Sequence, residues 1–124
     1  LNDKVSFIGS LKNDEVINEM LLSDFYIQLS KELNVKVDGG DYIHAEGMGR
    51  TILEAISYGT YIITSRTGAL PEIIESSNGV LLNDCSTMNV ASAINQVMKN
   101  PPPKPKCTAK YSWENYFKMY ENAW

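Results

Sequence analysis

Histidine and cysteine are both scarce in this chain: His44 is the single histidine, and Cys85 and Cys107 are the two cysteines. One histidine and two widely separated cysteines cannot supply a spaced ligand set, so a metal site is not expected. The two thiols form no disulfide-rich framework; a reducing cytoplasm suits them, with both as structural bystanders. A histidine-based triad would have to use His44. No nucleophile elbow lies near it, and Ser57 and Ser65 lack that context too. His44 reads as a solvated loop residue, with a pH-sensitive contact as the alternative. Basic blocks are missing, and the net charge is −4, which weighs against general nucleic-acid binding. No apolar run is long enough to span a bilayer, no signal-peptide pattern opens the chain, and no internal repeat is visible. Leu1, rather than Met, stands first, as in a fragment or a processed product.

What is present is enough for one modest core. The 124 residues, 44% of them hydrophobic, fit a single globular domain. Lys4 to Ile8 reads as a short buried strand stopped by Gly9-Ser10. Asn13 offers an N-cap to a helix that buries Val16, Ile17, Met20 and Leu21. Phe25 to Leu29 is a second strand. Strand, helix and strand with short links indicate a parallel crossover. From Ser30 to Gly49 the periodicity lapses, and a loop of this length is expected to be functional or mobile. A helix from Arg50 to Ser57 follows, ended by Tyr58-Gly59. Tyr61 to Thr64 is a third strand, Leu70 to Ile74 a short helix, and Val80 to Leu82 a fourth strand. Ser86 caps a helix expected to bury Val90, Ile94, Val97 and Met98. Pro101 to Pro105 stops it as a stiff spacer. A last helix starts near Ser112 and aligns Trp113, Tyr116, Phe117 and Tyr120 as core. The alternation gives an α/β fold with a Rossmann-like parallel sheet and helices on both faces. Ligands in such folds sit beyond the carboxyl ends of the strands.

The stretch with most chemistry is Glu46-Gly47-Met48-Gly49-Arg50-Thr51-Ile52-Leu53-Glu54. A glycine turn feeding a helix start presents free backbone N–H groups, and the helix dipole favours an anion such as a phosphate. Glu46 precedes the turn. Glu54 lies about one helical turn inside, roughly 6 Å along the axis from Arg50. A diphosphate between them would leave one carboxylate facing a sugar and the other a ribose, each accepting hydrogen bonds from hydroxyls. The alternative is an Arg50–Glu54 pair at i, i+4 with Glu46 merely solvated. Gly9 and Gly68 each follow a strand and could line the same cleft, or serve only as turns.

These residues resemble the donor-binding segment of family-4 (group 1) glycosyltransferases. The family pattern is Glu-Gly-aromatic-Gly, then Glu-Ala-Met-Ala-x-Gly, a Pro-Val-Ile strand, and Ser-x-x-Gly-Gly-x-Pro-Glu. Here the series reads Glu46-Gly47-Met48-Gly49, Glu54-Ala55-Ile56-Ser57-Tyr58-Gly59, Tyr61-Ile62-Ile63 and Ser65-Arg66-Thr67-Gly68-Ala69-Leu70-Pro71-Glu72. Val5-Ser6-Phe7-Ile8-Gly9, Ser23-Asp24-Phe25 to Ser30, Asn78-Gly79-Val80-Leu81-Leu82 and Tyr111-Ser112-Trp113 resemble its flanking segments. Met48 replaces an aromatic, Ala69 the second glycine and Tyr61 the proline, and Lys31 to Ala45 is longer than the usual link.

The resemblance implies part of the C-terminal domain of a GT-B architecture, with residues 1–124 as one nucleotide-sugar-binding domain. It implies a retaining transferase of hexosyl type, without cofactor or bound metal, using a nucleotide-diphosphate sugar of UDP or GDP type in polysaccharide biosynthesis. Glu46 would be the catalytic-site carboxylate on the donor sugar. The amides around Gly47, Met48, Gly49, Arg50 and Thr51 would carry the diphosphate, Glu54 the ribose, and Gly9 the base. A sugar or lipid-linked acceptor would be brought by an N-terminal domain that this chain lacks, together with an Arg/Lys phosphate pair. The full-length enzyme would be cytoplasmic or peripheral to the membrane. Self-association through a truncated sheet edge is a further expectation. Three rival readings stand beside this one: a non-catalytic donor-binding or regulatory fragment needing a partner, a piece of a sugar-nucleotide epimerase of the same architecture, and a plain structural α/β module.

Overall fold

Tyr61-Ile62-Ile63-Thr64-Ser65 is the most buried strand among the described residues, and the sheet is assembled on it. A computed structural model describes residues 4–105. The expected helix near Ser112, the Tyr111-Ser112-Trp113 segment and Cys107 lie outside the described residues. In chain order the elements are α1 (Asn13–Leu22), β1 (Phe25–Gln28), β2 (Leu33–Val37), β3 (Gly40–His44), α2 (Arg50–Ser57), β4 (Tyr61–Ser65), α3 (Leu70–Ile73), β5 (Gly79–Leu82) and α4 (Thr87–Lys99). Strands β1, β4 and β5 form a parallel sheet with β4 in the middle. Phe25 pairs with Tyr61 and Gln28 with Thr64 on one side, and Ile62 pairs with Gly79 and Ser65 with Leu82 on the other. A central parallel strand is enclosed on both faces, which is why Ile62, Ile63 and Thr64 are all fully buried.

Helices cover both faces of this sheet. On one face Met20 of α1, Ile52, Ala55 and Ile56 of α2, and Leu70, Ile73 and Ile74 at α3 close over Ile62. Helix α2 reaches this depth because Ile52, Ala55 and Ile56 recur at i, i+3, i+4 on one side. On the other face Ala93 and Val97 of α4 lie beside Tyr61 and Val80. Polar anchors fix the layers. Thr60 Oγ1 donates to the Met20 carbonyl at 2.8 Å, so the end of α1 is tied to the start of β4. Buried Asn78 accepts from Glu75 N at 2.9 Å and donates to the Ile73 carbonyl at 3.2 Å, which ties the α3–β5 turn. The result is an α/β, Rossmann-like arrangement of the kind expected of a GT-B C-terminal domain.

Four expectations change. Lys4 to Ile8 forms no strand: Val5, Phe7 and Ile8 are 50%, 97% and 57% exposed. Apolar patterning shows that a segment favours burial, but a ladder needs a neighbour, and no strand pairs with it among the described residues. The supposed loop after Ser30 is an antiparallel hairpin, with Leu33 opposite His44 and Val37 opposite Gly40. Leu33, Val35 and Val37 alternate with Asn34 and Lys36, and Asp38-Gly39 makes a two-residue turn with Gly39 at φ +118°. Polar content hid that alternation, and His44 accordingly ends a strand rather than sitting in a loop. In α1 the cap is Lys12, whose backbone N–H donates to the Glu15 carboxylate at 2.7 Å, and Leu21 is exposed because only a narrow line through Met20 meets the core. In α4 it is Ala93 and Val97 that are buried, with Val90 and Ile94 half-buried and Met98 exposed.

Candidate functional site

The carboxyl ends of β1 and β4 and the start of α2 meet at Glu46. The strand pairing places Gln28 and Thr64 side by side, and Thr64 Oγ1 donates to the Gln28 carbonyl at 2.6 Å. One step further on, Ser65 Oγ donates to the Ser30 carbonyl at 2.7 Å. These bonds hold the exit of β1 against β4 beyond the last ladder pair. The Glu46 carboxylate sits over this seam. Its Oε2 accepts from Gln28 Nε2 at 2.9 Å and Ser30 Oγ at 3.3 Å, and its Oε1 accepts from Gly49 N at 3.2 Å.

Gly49 is the N-cap of α2 at φ +60°, a left-handed conformation that few L side chains adopt. Its amide faces Glu46, so the negative carboxylate stands at the positive end of the helix dipole. A helix start leaves its first N–H groups without intrahelical partners, and here those of Arg50 and Thr51 follow directly, on exposed residues. Met48 is 63% exposed on the intervening turn. Glu54 is exposed one turn along α2, and among the described residues no ion pair joins it to Arg50.

The second wall is the turn after β4. Gly68, at φ +51°, packs so closely on Glu46 that a Cβ built there would lie 1.9 Å from the Glu46 carbonyl oxygen. Ala69 N donates to that same oxygen at 3.3 Å. Glu32, at the root of the hairpin, accepts from Thr67 Oγ1 at 3.2 Å and Gly68 N at 3.4 Å. Two segments some twenty residues apart in sequence are therefore tied into one unit around Glu46. The sequence-predicted Glu46, Gly47, Met48, Gly49, Arg50 and Thr51 are contiguous in this unit, Gly68 joins them, and Glu54 stands one helical turn away. Gly9 is exposed, and a Cβ built there meets nothing within 4 Å.

Gln28, Ser30, Glu32 and Thr67 were not singled out from the sequence. Gln28, Ser30 and Thr67 carried a signal only as members of the segments Ser23-Asp24-Phe25 to Ser30 and Ser65 to Glu72, and Glu32 carried none. Gln28 and Glu32 reach their partners across 18 and 36 residues, a separation that no local pattern encodes. Among the described residues no three His, Cys, Asp or Glu side chains gather as a metal site. Among the same residues no helix is long and apolar enough to cross a membrane.

Comparison with known proteins bears on the family. Residues 1–114 match the family model described as glycosyl transferases group 1. The chain is 29% identical over 76 residues to the phosphatidylinositol N-acetylglucosaminyltransferase gpi3 subunit of Schizosaccharomyces pombe, covering 61% of this chain and 14% of that protein. It is 21% identical over 122 residues to a GDP-mannose-dependent monoacylated alpha-(1-6)-phosphatidylinositol monomannoside mannosyltransferase of Corynebacterium glutamicum, covering 92% of this chain and 30% of that one. It is 30% identical over 101 residues to N-acetyl-alpha-D-glucosaminyl L-malate synthase of Bacillus anthracis, covering 81% and 23%. The chain thus spans less than a third of the length of each relative. With the family match running over most of its length and the parallel sheet ending at the glutamate–glycine turn, this chain belongs to the group 1 glycosyltransferases.

Proposed function

We propose that this chain is the donor-binding part of a glycosyltransferase and holds a nucleotide-diphosphate sugar at the start of α2. The observation that carries the reading is the placing of Glu46: a carboxylate fixed at the carboxyl end of the sheet, beside the free N–H groups of a helix start. In this reading the diphosphate lies on the amides from Gly47 to Thr51, where backbone donors and the helix dipole both favour negative charge. The same groups stabilise the nucleotide diphosphate as it leaves, without a metal. Glu46 receives hydroxyls of the sugar, Glu54 receives the ribose, and Gly9 lies toward the base. The transfer retains anomeric configuration, and the acceptor, a sugar or a lipid-linked sugar, comes on a further domain. The names of the relatives support the acceptor class, since two of them act on phosphatidylinositol-based molecules.

Ligand-detected NMR of the chain with UDP, GDP and ADP tests this directly. Binding of at least one is expected, weakened in Glu54→Ala. Failure of all three to bind, or equal binding by that variant, refutes the donor site or the ribose assignment respectively. A second reading is a non-catalytic donor-binding or regulatory fragment that needs a partner. Assays of donor hydrolysis and transfer, with and without the full-length context, separate the two.

A further inference from the structure

We propose that Gln28 is a positioning residue for Glu46, setting the direction in which that carboxylate meets the donor sugar. The assignment rests on the donor-site reading above. Gln28 is the last residue of β1, with its main chain clamped to Thr64. Its side-chain amide uses every hydrogen-bond position it has. Nε2 donates to Glu46 Oε2 at 2.9 Å and to Ser30 Oγ at 3.2 Å. Oε1 accepts from Thr51 Oγ1 at 3.0 Å and from Tyr26 OH at 3.1 Å. A carboxylate only accepts and an amide oxygen only accepts, so the NH2 group must face Glu46, which fixes the orientation of the amide by chemistry. Tyr26 lies two residues back on the same side of β1, and Thr51 belongs to the first turn of α2. The amide therefore relates Glu46 to both elements that frame the site.

The geometry also ranks the contacts. A carboxylate offers about four acceptor positions, and protein donors occupy three of them. Two sugar hydroxyls cannot both bind unless one of these donors yields. The contacts from Ser30 and Gly49 are the long ones, at 3.3 and 3.2 Å, while Gln28 at 2.9 Å is the short one. Gln28 stays as the anchor and a longer contact gives way. The prediction that follows is specific: removing Gln28 harms recognition of the sugar and spares recognition of the diphosphate, whereas removing Ser30 does little.

Calorimetric titration of the full 124-residue chain compares UDP with UDP-N-acetylglucosamine and GDP with GDP-mannose. For Gln28→Met, affinity for the nucleoside diphosphate is expected within about twofold of the parent. The ratio of sugar-nucleotide to diphosphate affinity is expected to fall about tenfold, the scale of a lost hydrogen bond to a charged group. Ser30→Ala should change that ratio less than about threefold. Gln28→Glu preserves shape but sets a second carboxylate against Glu46. Its ratio should be low near about pH 8 and recover toward about pH 5 as the pair comes to share a proton, a response that a packing role alone does not produce. Should Gln28→Met fail to fold, the pH response of Gln28→Glu decides. An unchanged ratio in Gln28→Met, or equal loss of both ligands, overturns the positioning role while leaving the donor site standing. A parent chain that binds none of the four overturns the donor-site reading and this role with it.

Discussion

Replacing Gly68 by alanine should be the most damaging single-methyl change in the candidate site. Two costs combine. The backbone at φ +51° lies in the left-handed region, which costs an L residue about 1–2 kcal/mol. The new Cβ would also stand 1.9 Å from the Glu46 carbonyl oxygen and 2.9 Å from its carbon. Both neighbours are backbone, so relief requires the two turns to part by about 1 Å, in a region packed to interior density. Parting them strains the Ala69 N–Glu46 O bond and the two contacts of Glu32, and losing net hydrogen bonds costs about 1 kcal/mol each. A loss of about 3–4 kcal/mol is expected, near the upper end for single substitutions. Gly49 and Gly47 calibrate the argument. Gly49→Ala crowds the tip of the Leu70 side chain, at 2.7 Å, meets Ile52 at ordinary contact distance and keeps the left-handed cost, so about 1–2 kcal/mol is expected. Gly47→Ala meets nothing within 4 Å and has no positive φ, so its effect should stay within about 0.5 kcal/mol. Urea unfolding of the three variants, followed by circular dichroism, gives the ranking. A Gly68→Ala chain within about 0.5 kcal/mol of the parent, or a loss at Gly47 equal to that at Gly68, would refute the reasoning.

Other perturbations probe separate parts of the molecule. Asn78→Ala removes both bonds that tie the α3–β5 turn from a buried position, and urea unfolding should show a loss of about 2 kcal/mol. Burial raises the Tyr61 phenol above its ordinary 10.0, so the folded state holds that proton longer than the unfolded chain does. Its contribution is full below pH 10 and declines as the pH rises through the raised value; Tyr61→Phe should make thermal stability fall less steeply there. Replacing the exposed residues 33–44 by a short glycine linker should shift stability by less than about 1 kcal/mol, because no buried residue is lost; cooperative unfolding at an unchanged urea midpoint is the expected trace. Strand β1 pairs only with β4 among the described residues, which leaves an edge for self-association. Sedimentation should show concentration-dependent dimers, and a monodisperse monomer would count against this.

Much of the fold was legible because local chemistry and long-range demand agree in those places. The bounds of α2 follow from the amphipathic spacing of Ile52, Ala55 and Ile56 between two glycines, and the parallel strands follow from apolar runs such as Tyr61 to Thr64. The hairpin could have been read from Asp38-Gly39 and the alternation before it, but an expectation of one long loop masked a period of two. Lys4 to Ile8 shows the opposite failure: its pattern is that of a strand, yet a strand is a relation between segments, and no partner stands beside it among the described residues.

The same division holds at the site. Residue types and order alone marked Glu46, the glycine turn and Glu54, since a carboxylate, a bare amide turn and a helix start carry their chemistry locally. Tertiary structure alone decided what the Glu46 carboxylate touches. Gln28 and Ser30 reach it because the β1–β4 register aligns the strand ends, and Gly68 packs on the Glu46 backbone because it has no side chain to hold the two turns apart. Hydrogen-bond direction and close approach are properties of assembled backbone, so no spacing within one segment could state them.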